Sequence, residues 1–247
     1  MVTSRRVRTW KPEKYRKKIE RSDKADEYLS KFKSESDSAM TRLHTLTNNL
    51  DKLSIALDNE ISTLSTHTRS LEAKRTDQPS PELESHINHL KKQLALKEES
   101  KREIYQKQRD LTVTLQHISR ISSYATSIIT NLHTARESLN RVYAKVEPTS
   151  GKNLTIKDVL KTEEARRLKE KINRVSDSFK AFKSSVRDLE KARTEIKNLE
   201  KKHKHKIELG GKSYAIPYTP TIINYFLSKT KSHRSNIKKY LKKVWKK

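Results

Sequence analysis

The residues from Ile237 to Lys247 hold the densest chemistry in the chain. On a helical wheel Ile237, Tyr240, Leu241, Val244 and Trp245 share one face, and Lys238, Lys239, Lys242, Lys243, Lys246 and Lys247 take the other. A basic amphipathic helix of this kind has three uses: it neutralises nucleic-acid phosphates, lies on an anionic membrane, or docks in an acidic groove of a protein. Each lysine acts on a phosphate as a point charge that displaces counterions, and Tyr240 or Trp245 would stack on an exposed base. The plainer reading is that the apolar face packs on the rest of the protein while the lysines are merely solvated. A second basic run opens the chain: Arg5, Arg6, Arg8, Trp10, Lys11, Lys14, Arg16, Lys17 and Lys18, with Tyr15 among them. Arginine suits phosphate because its planar fork binds two oxygens at once. A nuclear localisation signal or a cationic tail has the same composition.

Other chemistry is poorly served. There is no cysteine, hence no disulfide, thiolate ligand or thiol nucleophile. Lys202-His203-Lys204-His205-Lys206 invites a metal reading, but no carboxylate completes a site and the interleaved lysines repel a cation, so no metal is expected there. Gly210-Gly211-Lys212-Ser213 has the ending of a phosphate loop without its first glycine or its strand-to-helix setting. The histidines at 44, 67, 86, 89, 117 and 133 fall along helical repeats, where seam or surface roles are expected. No catalytic triad, paired-carboxylate site or dinucleotide fingerprint is evident. The expectation is a protein that is not an enzyme and carries no cofactor.

Charge is distributed unevenly. The chain carries a net +26. Beyond residue 200 the bases are opposed by a single acid, Glu208, and the first 24 residues are also strongly basic, whereas the long middle is nearly neutral. Only 32% of the residues are hydrophobic, 35% are charged, and there are three glycines. Such a chain buries narrow apolar stripes, as coiled coils do, not the thick core of an α/β enzyme. The opening residues lack the apolar core of a secretory signal, and no apolar run approaches a membrane span. The expected location is intracellular, in cytoplasm or nucleus, or inside a virion.

The elements that must position these charges are helices. Leu43, Leu46, Leu50, Leu53, Leu57, Leu64 and Leu71 recur at alternating three- and four-residue steps, with Glu60 and His67 in two of the seam slots. A second repeat runs from Leu83 and Ile87 to Val146, and a third from Ala165 to Ile196. Turns are expected near 77–80 and 148–155, with Ser80 as N-cap, Pro81 as the first helical residue, and Thr155 with Asp158 as a capping box. The fold class is therefore all-α: an elongated antiparallel coiled-coil rod of three long helices over residues 12–204, reached through the basic segment 1–24. The third helix, expected near 156–204, should cover the second from about residue 98 onward, leaving 59–97 as a two-helix arm with Glu60 opposite Lys97 as a register lock. Residues 205–247 read as a small basic C-terminal module. It has a β-hairpin around Gly210-Gly211, an N-cap at Thr219, and a last helix that breaks near Ser232.

These patterns point to a structural protein or scaffold whose basic termini bind DNA or RNA phosphates with little sequence reading, within a ribonucleoprotein, viral or chromatin-like assembly. The arm 59–97 is an expected contact for other proteins, and coiled-coil seams with polar slots pair with copies of themselves, so a homodimer is among the expected partners. Three long antiparallel helices over residues 12–204 also resemble, in length and helix count, the crescent dimers of the BAR domain family. That resemblance implies a membrane-surface scaffold with bases along a concave face, whereas here the bases gather at the termini. A third reading is a coiled-coil connector whose ends bind acidic protein surfaces, because Coulomb attraction does not identify the anion.

Overall fold

The computed structural model describes residues 12–146, 162–201 and 206–245. Helix α1 spans Pro12–Asp77 and α2 spans Pro81–Val146, 66 residues each. Helix α3 spans Glu163–Glu200, strands β1 and β2 span Lys206–Leu209 and Lys212–Ala215, and α4 spans Thr219–Trp245. The fold is all-α with one small antiparallel hairpin, as the repeats predict. Among the described residues no helix is long and apolar enough to cross a membrane.

Local chemistry accounts for the boundaries. Ser80 caps α2 as expected: its Oγ accepts the Leu83 amide at 3.2 Å, its carbonyl accepts the Glu84 amide, and Pro81 occupies the first helical position. Glu82 and Glu84 in the first turn oppose the helix dipole. The capping box expected at Thr155 and Asp158 lies outside the described residues. Thr162 caps α3, accepting the Ala165 amide at 3.3 Å, with Glu163 and Glu164 just behind it. The hairpin is closed by the predicted glycine pair. Gly210 and Gly211 have φ of 57° and 73°, which matches a type I′ turn and pairs Leu209 with Lys212 and Ile207 with Tyr214.

The helices contribute to two compact units that do not follow chain order. One combines 1–38, 117–188 and 225–247; the other combines 39–116 and 189–224. Residues 205–247, expected as one C-terminal module, are thus shared between them.

The first unit is a bundle of segments from all four helices. Its core includes Leu29 and Phe32 of α1, Ile118, Ile121, Ile128 and Leu132 of α2, Val175, Phe182 and Val186 of α3, and Phe226, Ile237 and Leu241 of α4. Phe32 meets the rings of Phe182 at 5.0 Å and Phe226 at 6.0 Å, both edge-on, an arrangement aromatic pairs favour. Helix α2 buries a stripe that its simple repeat does not contain. Beside Ile118, Ala125, Leu132 and Leu139 runs a second row of Ile121, Ile128, Ala135 and Val142. A helix with neighbours on two sides buries two rows, and the heptad of a two-partner seam describes only one.

The second unit holds the α1–α2 helix pair, the end of α3, the hairpin and the first turn of α4. Helix α3 ends at Glu200, not near 204, and Glu200 forms a fully buried ion pair with Lys107 of α2 at 2.7 Å. Both Glu200 carboxylate oxygens accept the Thr219 amide, at 3.2 and 3.3 Å. This corrects the expected cap: α4 begins at Thr219 itself, and its N-terminus is satisfied by the carboxylate that ends α3. An anion there also offsets a first turn that has no acid of its own. The end of α3 therefore meets α2 at Lys107, short of residue 98.

The hairpin takes over from that point. Glu60 and Lys97 pair at 2.7 Å, as the register of the arm predicts. They do more than lock the seam. Lys97 Nζ donates to the Glu208 carbonyl at 2.6 Å, and Glu60 Oε1 accepts the Gly210 amide at 2.6 Å. The base of the two-helix arm is thus also the seat of the hairpin.

Candidate nucleic-acid interface

Helix α4 contains no acidic residue from end to end. It runs unbroken from Thr219 to Trp245, so the break expected near Ser232 does not occur; no proline or glycine follows Pro220 of the first turn, and Ser232 is exposed. Phe226, Thr230, Ile237 and Leu241 form its buried face in the first unit, and Lys231, Lys238, Lys239 and Lys242 are exposed. Among the described residues no ion pair engages Lys238, Lys239 or Lys242.

Helix α1 lies antiparallel to this segment. Phe32 faces Phe226, Tyr28 faces His233, and Tyr28 also stacks on Tyr240 with centroids 5.8 Å apart and planes 12° apart. Lys24 sits 6.0 Å from the centroid of the Tyr240 ring, with Lys239 at 5.6 Å from the same ring. The basic start of α1 and the basic end of α4 are therefore neighbours in one unit. The sequence shows two basic termini with a nearly neutral middle between them, and does not by itself reveal that they adjoin. Lys17 and Lys24 on α1 and Lys238, Lys239 and Lys242 on α4 are exposed, and Lys24 and Lys239 approach the same Tyr240 ring. Lys31 also lies 5.6 Å from the Tyr28 ring centroid, but it donates to Glu27 at 2.5 Å. That hydrogen bond and the opposite charge hold Glu27 below its ordinary value and Lys31 above its own, so this lysine is already neutralised by a neighbour.

The residues singled out in the sequence divide into four groups. Lys17, Lys238, Lys239 and Lys242 are exposed. Tyr240 is half-buried and stacked on Tyr28. Lys14, Arg16, Lys18, Lys243 and Trp245 lie in helices, without described side chains, and Arg5, Arg6, Arg8, Trp10, Lys11, Lys246 and Lys247 lie outside the described residues. Sequence reasoning missed Tyr28 and Lys24. Tyr28 lies upstream of the leucine repeat of α1, and nothing in a linear repeat indicates that a residue near the start of the chain stacks on one near its end.

Among the described residues no group of three or more His, Cys, Asp or Glu side chains is arranged to hold a metal ion. Comparison with models of protein families, with curated proteins and with solved structures finds no match to this chain.

Proposed function

We propose that the chain is a non-enzymatic structural protein that binds nucleic-acid phosphates through one composite cationic region, made by the start of α1 and the end of α4. The observation that carries this reading is the stack of Tyr28 on Tyr240, beside which the bases of an acid-free helix and those of α1 lie together. Lysine ammonium groups dominate the region, which favours phosphate binding over base reading, with affinity that falls steeply as salt rises. A ribonucleoprotein, a viral particle or a chromatin-like assembly within a cell is the setting this chemistry fits. Burial of Ile237 and Leu241 argues against the membrane-surface alternative, because the apolar face that would enter a headgroup layer is used in packing.

The test is anisotropy of a labelled DNA duplex across a salt series. Replacing Lys238, Lys239 and Lys242 by alanine is expected to flatten the slope of log K against log salt by about 2.7, at about 0.9 for each phosphate that is no longer neutralised. An unchanged slope overturns the proposal and returns the acidic protein surface as the preferred partner.

A further inference from the structure

We propose that His67 of α1 and His86 of α2 form a two-histidine site for a divalent transition-metal ion such as Zn2+. The two rings meet edge-on across the helix pair, with centroids 5.8 Å apart and planes 83° apart. A metal held at about 2.0–2.1 Å by one nitrogen of each ring lies about 3.2 Å from each centroid, and tetrahedral coordination then sets the centroids about 5.2 Å apart. The observed spacing is within a small side-chain rotation of that value. Imidazole is a ligand that suits zinc, copper and nickel alike. Both residues are exposed, so water can complete the coordination shell.

The pair is held in place by the elements around it. Arg75 and Glu84 bridge the helices at 3.4 Å toward the tip, and Lys97 and Glu60 bridge them at 2.7 Å toward the hairpin. A slip of register would cost both. Nearby His89 is turned to Gln93 at 3.0 Å and is not part of the pair. The setting differs from His203 and His205, which lysines flank on every side.

Calorimetric titration of ZnCl2 into the full chain tests the site, using His67→Ala, His86→Ala and a His203→Ala/His205→Ala double variant. Both 67 and 86 are exposed, so their substitution leaves the helices folded, which circular dichroism checks. One ion per chain is expected at this site. Its affinity should fall by more than about tenfold in each single variant, since even outer-shell partners of a metal are worth 10–100-fold. It should be unchanged in the double variant, and zinc should raise the unfolding midpoint of the wild type but not of His67→Ala. Absence of binding, binding that survives His67→Ala, or binding abolished in the double variant overturns the proposal.

Discussion

Lys107 is the residue whose behaviour departs furthest from its type. Its side chain is 1% exposed and that of Glu200 is 0% exposed, and the two meet at 2.7 Å. Tyr218 lies against the ammonium at 5.8 Å, and Glu103 and Asp110, also buried, flank it one turn to either side on α2. Position 107 continues the row of Thr114, Ile121, Ile128, Ala135 and Val142 at seven-residue steps, so its burial was legible in principle. A lysine in such a row reads as solvated unless its partner is known, and that partner lies on another helix. A buried pair is costly to break and often neutral to replace whole. Lys107→Met should therefore destabilise the protein by about 3–5 kcal/mol, because it strands the Glu200 charge. Lys107→Met with Glu200→Gln should recover most of that loss, since the amide oxygen still accepts the Thr219 N–H. Urea unfolding of the two single variants and the double variant measures this. A cost below about 1 kcal/mol for Lys107→Met would mean that the pair behaves as a solvated surface bridge.

At the scale of elements, the features written in short sequence windows were the legible ones. The cap at Ser80, the proline after it, the glycine pair of the hairpin and the leucine repeats of α1 each rest on a few adjacent residues, and each is present. The Glu60–Lys97 pair was legible too, because the turn near Asp77 fixes the register of the two helices folded about it. What the pair holds was not legible: the Glu208 carbonyl and the Gly210 amide belong to a hairpin remote in sequence. The cap of α4 failed for the same reason, because the acceptor at the start of the helix is the Glu200 carboxylate of another helix, which takes the Thr219 amide, and not the Thr219 hydroxyl. If these two charged groups seat the hairpin, Glu60→Ala combined with Lys97→Met should speed hydrogen exchange at the Gly210 amide by about tenfold or more, in line with the 1.5–3 kcal/mol of a hydrogen bond to a charged group. Amides of α2 around the buried Leu111 should keep their protection. Unchanged exchange at Gly210 would show that Ile207 and Leu209 seat the hairpin by burial alone.

At the scale of the whole molecule, linear charge distribution and folded charge distribution differ. A chain that is basic at both termini reads as a connector with two separate grips. The packing of Tyr28 and Lys24 on Tyr240 instead puts the two basic segments of the described chain side by side. One region with several cations binds one polyanion in a single event, and each lysine adds its own increment to the salt dependence. Two separate grips would bind two short duplexes, and each would lose its own slope when its own lysines were removed. The whole chain should therefore take up one duplex of about one helical turn in a single transition. Lys17→Ala with Lys24→Ala should flatten that same transition by about 1.8, and joining these changes to the three α4 substitutions should flatten it by about 4.5. Two resolved transitions, one abolished by the α1 changes and the other by the α4 changes, would restore the connector and refute a shared site.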